Sequence, residues 1–374
     1  MSAPSVKKAQ KGTIIIMVMW IIAILSLFAV GLGFRSTIEL RLTSFYIDKM
    51  TASHIGQYIV YTVFFHIAND QDKKIDSYLD SWGNSAETFF ETDIDGVKVT
   101  VSHPGESTYD EQVMLYGASD EMARININTV PTAILSSEYW QEEFAMDDEL
   151  VEAIEHWRSK EKTGSKDLDS WYENTYDYKA RHGEIQIIEE LHFLKNFYTN
   201  SSEKNKKRAR LKNIITVYGD GKVNMNTASR EVLAALFAMQ SEQKDMSDND
   251  REDLIEEIIA YRNGEDGLPG TEDDQQFENA NIETALETHE SSKITMLNWL
   301  RTKQAIGVNS DFFRVEADIE LKKIKRRVTA ILSRSKKMAQ EQNKKITDST
   351  NVKVVDEKKD SEGERMRIIK YFEE

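Results

Sequence analysis

Hydrophobic and polar positions change rhythm several times along this chain. Thr13 to Phe34 (TIIIMVMWIIAILSLFAVGLGF) carries no charged side chain. About 22 residues at 1.5 Å each make a helix of roughly 30 Å, the thickness of a bilayer core. Beyond it, Ile38, Leu42, Phe45, Ile55, Ile59 and Phe64 recur at three-to-four spacing, interrupted by Arg35, Glu39, Arg41 and Asp48. The pattern predicts one long helix over 13–70, apolar first and amphipathic later. Lys7, Lys8 and Lys11 precede the apolar run, which keeps the amino terminus cytoplasmic and exports the bulk of the chain. A cleaved secretory signal fits poorly, because the run is long for such a segment and Leu32-Gly33-Phe34 is a poor small-x-small site. A plain membrane anchor followed by an ordinary helix is the simpler alternative.

The period then shifts from helix to strand. Residues 70–86 read as a loop with a short helix. Thr88 to Val101 reads as a hairpin, with Asp95-Gly96 at the turn and Val97, Val99 and Val101 alternating. His103 to Glu111 reads as a polar loop, and Gln112–Tyr116, Arg124–Ile127 and Ile214–Tyr218 as further strands. Phe312–Leu321 and Ile324–Leu332, joined through Lys322-Lys323, form a closing hairpin. Helical stretches fill the interval between the strand groups. The fold class is therefore α+β: a small antiparallel sheet with a large α-helical domain set into it. The expected boundaries are 71–125 and 308–335 for the β domain and 126–307 for the insert, with strand 213–218 a candidate to join the sheet. Residues 336–374 alternate Lys with Asp and Glu and read as a disordered tail, with a short helix at Glu364 to Phe372.

The insert contains a repeat. ARININTVPTAIL (123–135) aligns with GKVNMNTASREVL (221–233), so that Asn126, Asn128 and Thr129 match Asn224, Asn226 and Thr227. A helix ending in an aromatic–Arg pair follows each copy, at Glu149–Arg158 and Asp253–Arg262, and then an apolar segment, Ile187–Leu194 and Phe277–Leu286. Local chemistry accounts for the signature. Thr129 and Thr227 are good N-caps, Pro131 suits a first helical turn, and the asparagines can bond nearby backbone as the chain turns. The unit is similar to the helix-hairpin-helix (SAM-like) module of DNA-uptake proteins, which binds phosphate through a glycine-rich hairpin. Here those hairpin positions hold Ser136-Ser137-Glu138-Tyr139 and Met239-Gln240-Ser241-Glu242. They lack glycine and carry carboxylates, so an exported, membrane-anchored DNA-binding or uptake protein is the alternative reading, not the favoured one.

Charge and composition narrow the chemistry. The 374 residues have a formal net charge of −16 and no cysteine. The acidic surplus argues against a nucleic-acid scaffold. The missing thiols exclude disulfides, thiol catalysis and cysteine-ligated metals. The seven histidines are scattered, with no His-Glu-x-x-His or paired arrangement, and no phosphate-binding loop appears, so no enzyme is expected. Asn263 to Phe277 (NGEDGLPGTEDDQQF) crowds Glu265, Asp266, Glu272, Asp273 and Asp274 between Gly264, Gly267 and Gly270. Such a loop is either a solvated acidic run or a seat for a hard cation; Ca²⁺ takes six to eight oxygens, and no His or Cys is near to favour zinc or copper. Asp167, Asp169 and Glu173 form a weaker second acidic loop.

The whole arrangement resembles the minor pseudopilin K (general secretion pathway protein K) family of type II secretion. The resemblance rests on Lys11-Gly12 directly before the apolar run, on Met17, on the two Asn-x-Asn-Thr phrases, on Ile215–Thr227 and on Phe312–Ser333. It spans residues 11–334 and leaves the tail uncovered. It implies that residues 1–12 are a prepilin leader cut after Gly12, with Thr13 the new, methylated amino terminus. Pilins usually carry Glu at mature position five, where it neutralises the amine of a neighbouring subunit; Met17 stands there, as expected of a tip subunit with no neighbour above it. The family implies no catalysis, calcium sites in the helical domain, and a single-pass inner-membrane protein with its bulk in the periplasm, initiating pseudopilus assembly at the tip. Expected partners are the I- and J-type minor pseudopilins, the prepilin peptidase and the inner-membrane secretion platform. Ala23, Ser26, Ala29 and Gly33 are the small residues expected at helix contacts in lipid.

Overall fold

The structure is a computed structural model that describes residues 10–70, 72–159, 166–238, 247–334 and 366–373. Its first element is the helix Gln10–Ala68, uninterrupted over 59 residues. Every side chain from Ile14 to Ile47 is exposed, including the expected apolar positions Ile38, Leu42 and Phe45. Among the described residues only the last part of the helix packs on the rest of the chain, and it does so through small and β-branched residues. Ala52, Gly56, Ile59, Val60, Val63 and Ile67 make the buried stripe, while Ile55 and Phe64 are half-buried. Gly56 sets the spacing: a Cβ there would lie 2.8 Å from Val328 Cγ2 and 3.0 Å from Ile319 Cδ1. The absent side chain lets helix and sheet close to van der Waals contact.

The main sheet is antiparallel along its path, in the order Thr92–Ile94, Val97–Val101, Phe312–Leu321, Ile324–Ser333, Arg367–Glu373; Ser119–Asp120 pairs with the start of the central strand. The closing hairpin runs in unbroken register from Phe312↔Ser333 to Leu321↔Ile324. Its two-residue turn is Lys322-Lys323, as the sequence predicts. Asp95 and Gly96 likewise turn the first hairpin, both at positive φ (53° and 80°), as a tight two-residue turn requires. Period-two alternation puts Val97, Val99, Val101, Phe313, Val315, Ala317, Ile319, Val328 and Ala330 on the face that meets the helix. Trp82 and Phe89 close that core, with Trp82 edge-on to Phe313 at 4.8 Å.

Three expectations fail here. His103–Glu106 is a strand, not a loop, and pairs with Gln112–Leu115 as a separate ribbon. Pro104 and Gly105 disguise it, yet Gly105 is what lets Leu115 pack across it, since a Cβ would come within 2.7 Å of Leu115 Cδ1. Ile214–Tyr218 contributes only Ile215–Thr216, which pairs in parallel with Ile125–Asn126 and not with the main sheet. The tail does not end in a helix. Arg367–Glu373 adds an outer strand to Ile324–Ser333, where its β-branched and aromatic residues suit an open sheet edge. Glu373 fixes it by accepting from Ser53, Tyr371 and Arg326.

The insert has its own core, built on Trp140, Phe144, Leu150, Ile154, Tyr172, Leu233, Phe237, Ile255, Ile259 and Phe277. Two-residue parallel bridges tie its two halves together and to the β domain: Ile125–Asn126 with Ile215–Thr216, and Val223–Asn224 with Ile306–Gly307. Each bridge ends in the first asparagine of a repeated motif.

Candidate functional site: two repeated units and the loops they carry

The repeat holds at atomic level. Asn126 Oδ1 accepts from the Asn128 amide at 2.9 Å, and Asn224 Oδ1 from the Asn226 amide at 3.0 Å. The second asparagine of each copy then clamps a distant strand-like residue by both amide atoms. Asn128 bonds the Ile185 carbonyl (2.9 Å) and amide (2.8 Å), and Asn226 bonds those of Phe277 (3.1 and 2.7 Å). The arginine ending each following helix returns to the motif. Arg158 Nη1 donates to the carbonyls of Ile127 (2.8 Å) and Val130 (2.9 Å); Arg262 Nη1 donates to those of Met225 (3.0 Å) and Ala228 (2.7 Å). These carbonyls are orphaned where the chain leaves its bridge, and in each copy one guanidinium satisfies two of them. The aromatic–Arg spacing was the signal for this staple.

The threonines do not cap the helices. Thr132–Leu135 begins after Pro131, and Arg230–Phe237 is capped by Ser229, whose hydroxyl accepts from the Val232 amide. Asn126 and Asn224 have already closed a turn that holds each threonine away from the helix start, with Val130 and Ala228 amides bonded to their carbonyls. Thr227 instead donates to Asp120 Oδ2 at 2.6 Å and is buried, whereas Thr129 is exposed.

Asp120 is the centre of a buried network that the sequence pattern did not reveal. Its Oδ2 accepts from Asn224 (2.8 Å), Thr227 and Ser310 Oγ (2.5 Å). The Ser310 amide and Arg334 Nη2 both donate to Asp76 Oδ2. Residues from the chain after the stalk helix, the second unit and the closing strands thus meet in one place. Burial raises the Asp120 carboxyl above its usual range despite these donors, and pushes Asp76 up to about 7 against the pull of Arg334. No spacing in the sequence connects residues 76, 120, 224, 310 and 334.

The structure brings three of the five expected cation ligands together. One carboxylate oxygen each of Asp266, Asp273 and Asp274 lies within 4.8 Å of the others. Glu265 and Glu272 are exposed and outside this group. Gly264, Gly267 and Gly270 all have positive φ, and a Cβ on Gly264 would strike Asp273 Oδ2 at 2.5 Å. Asp273 accepts from the Asp266 and Glu265 amides and from Thr271, and the Asp266 amide leads in holding its carboxyl below the usual range. Burial pushes Asp274 up to about 6. The loop is docked on the β domain: Asn84 Nδ2 bonds the Gly270 carbonyl, the Thr108 amide bonds that of Gly267, and Asn263 Nδ2 bonds that of Glu106. Three converging hard oxygens suit a divalent cation.

The second acidic loop is not a loop. Residues 166–176 are helical, and Glu173 faces Lys179 at 3.2 Å. Asp169 turns to two histidines, His156 and His182, so the histidines are paired in space although scattered in sequence. The side chain of Asp167, and the positions Met239-Gln240-Ser241-Glu242, lie outside the described residues. In the first unit Ser137 precedes the helix Glu138–Phe144, with Glu138 exposed. Lys11, Gly12 and Thr13 lie within the helix Gln10–Ala68, with side chains outside the described residues. Its stretch Ile14–Ala68 is long and apolar enough to cross a membrane, with an 18-residue window of mean hydropathy 2.8 that no described residue covers.

No protein family matches the chain by sequence, and no curated protein does. A solved structure is similar to it in fold. The fold is similar, with a TM-score of 0.50, to a chain in the crystal structure of the GspK-GspI-GspJ complex from the enterotoxigenic Escherichia coli type 2 secretion system. The match covers 80% of this chain and 95% of that one at 12% identity. This chain shares the fold of a secretion-complex subunit. The long N-terminal helix, small antiparallel sheet and further helices of this chain make it α+β, as expected, and are consistent with that fold.

Proposed function

We propose that the protein is a K-type minor pseudopilin that sits at the tip of a type II secretion pseudopilus and initiates its assembly. The observation that carries this reading is the bare helix. Ile14 to Ile47 is exposed on all sides, while the same helix continues unbroken into the half that is packed on the sheet. Such a helix needs lipid and then neighbouring helices around it. Ala23, Ser26, Ala29 and Gly33 are fully available for those contacts. The two-unit insert, stacked beside the sheet, is too bulky for the interior of a filament, which favours the tip. By analogy with the GspK-GspI-GspJ complex, the partners are I- and J-type minor pseudopilins; the prepilin peptidase and the inner-membrane platform would process and extrude the chain. The protein would work by assembly and not by chemistry. The DNA reading gains no support from the first unit, whose turn offers a buried Ser137 and an exposed Glu138 where phosphate would need open amides.

The Asp266–Asp273–Asp274 loop is the proposed calcium site. Calcium there would lock the second unit onto the β domain through the carbonyl contacts of Gly267 and Gly270.

Mass spectrometry of the mature amino terminus tests the central claim. An N-methylated Thr13 is expected. A chain still beginning at Met1, or one cut after Gly33, would sink it.

A further inference from the structure

The connection that follows Arg158 in the first unit corresponds to the acidic loop that follows Arg262 in the second, and it gathers a different donor set. His156 lies in the last turn of the helix Asp148–Arg158, Asp169 in the helix Lys166–Tyr176, and His182 in the loop beyond, at φ 51°. His156 Nε2 lies 2.9 Å and His182 Nε2 3.0 Å from the same atom, Asp169 Oδ1. All three ligand atoms are within 4.8 Å of one another, and the rings stand edge to face at 4.8 Å. Both Nδ1 atoms are buried and have no hydrogen-bond partner among the described residues. Among the described residues, the polar partner of either ring is therefore the shared oxygen alone. The His156 side chain is 2% exposed and that of Asp169 35%, so the cluster is walled on one side and open to water on the other.

We propose that His156, Asp169 and His182 are a binding site for a divalent transition metal, with zinc as the natural occupant. Two imidazole nitrogens and one carboxylate oxygen form the three-ligand set that zinc accepts, with water in a fourth, tetrahedral position. The set is wrong for calcium, which takes oxygen, and wrong for soft ions, which want sulfur. In the metal-free chain one carboxylate oxygen serves two N–H donors. A cation between them would take the Nε2 lone pair of each ring, once that neutral ring's single proton has moved from Nε2 to Nδ1. The bound metal would clip two helices and the loop after them, and so hold the end of the first unit as the acidic loop holds the second. This site is independent of the secretion reading, since it rests on three side chains and not on the stalk or the partners.

The test uses the full chain, purified without a polyhistidine tag in detergent and stripped with chelator. Zinc titration is expected to give one high-affinity site that Asp273→Asn leaves intact and that Asp169→Asn and His182→Gln each weaken at least about tenfold. Cobalt substituted for zinc is expected to show the intense visible bands of four-coordinate geometry. The decisive variant is His182→Cys, which keeps three ligands and adds a thiolate-to-cobalt charge-transfer band only if residue 182 touches the metal. No zinc binding by the stripped chain, binding unchanged in Asp169→Asn and His182→Gln, or a His182→Cys chain that binds cobalt without that band would each overturn the proposal.

Discussion

The two repeated units are built from the same parts and face different surroundings. Both use an asparagine to close a turn, a second asparagine to clamp a distant segment and an arginine to staple the turn's carbonyls. What differs is where the first asparagine points. Asn126 Nδ2 reaches the carbonyls of Tyr218 and Gly219, which lead into the second unit. Asn224 Nδ2 reaches Asp76, Asp120 and Ser310, which belong to the β domain and the segments around it. One scaffold thus serves as a link in two junctions. The second copy is buried against carboxylates, and the first is bonded to neutral backbone and partly exposed at Asn128 and Thr129. Damage at matched positions should therefore cost more in the second unit.

The arginine staples give the largest contrast. Arg262 is buried and leaves two buried carbonyls unpaired when removed, so Arg262→Ala should cost about 4 kcal/mol from lost hydrogen bonds and packing. Arg158 is half-buried, so although the carbonyls it serves belong to the buried Ile127 and Val130, removing a cation that is already partly solvated should cost less, about 2 kcal/mol for Arg158→Ala. Urea unfolding of the full chain in detergent, followed by tryptophan fluorescence, measures both. Equal costs would mean that the two junctions are energetically alike and that the comparison misleads. Asn224→Ala against Asn126→Ala should show the same order with a smaller gap, about 1 kcal/mol, because a bond to carboxylate is worth more than one to a carbonyl.

Much of this is legible in the sequence, for identifiable reasons. The apolar run, the Asp95-Gly96 turn and the closing hairpin are local signals, with period and turn chemistry in one window of sequence. The repeat was visible because its parts keep order and spacing. The Asp120 network was not, because five residues far apart in sequence converge only after folding. Thr129 and Thr227 misled because their capping chemistry is real but the asparagines claim the turn first. The His156–Asp169–His182 cluster was hidden behind an acidic spacing that suggested a different grouping. The outer strand Arg367–Glu373 was hidden by the charged segment before it, although its own residues favour a strand.

The loops sharpen the comparison at the next level of effect. Calcium at about 100 times its dissociation constant should stabilise the chain by about 2.7 kcal/mol, a gain that chelator removes and that Asp273→Asn abolishes. The pH dependence has a definite sign. Burial pushes Asp274 up to about 6 from an ordinary value of 3.8. Between about pH 4 and pH 6 the metal-free folded loop keeps a proton that the unfolded chain has released, so metal-free stability falls as pH rises through that window and is level above it. Calcium must displace this proton, so its affinity should drop as pH falls below about 6. The fall in melting temperature on adding chelator should be larger at pH 7.5 than at pH 5. A chelator effect independent of pH would remove Asp274 from the ligand set, and the absence of any effect would remove calcium. Calcium should leave an Asp169→Asn chain as stabilised as the unmodified one, because the first unit holds its own donor set.

The smallest effect isolates the contrast most cleanly, because the side chains are identical and only their surroundings differ. Thr227→Val keeps volume and deletes a 2.6 Å hydroxyl bond to Asp120, leaving the buried carboxylate with one donor fewer. The expected cost is about 1.5 kcal/mol, in the range for a hydrogen bond to a charged group. Thr129→Val deletes only a 3.4 Å contact to the Asn126 carbonyl at an exposed position, and should change stability by less than about 0.5 kcal/mol. Had both threonines capped helices, the two variants would cost about the same, near 1 kcal/mol. A threefold ratio between them therefore reports the β-domain junction itself, whereas equal costs would restore the capping role that the geometry denies.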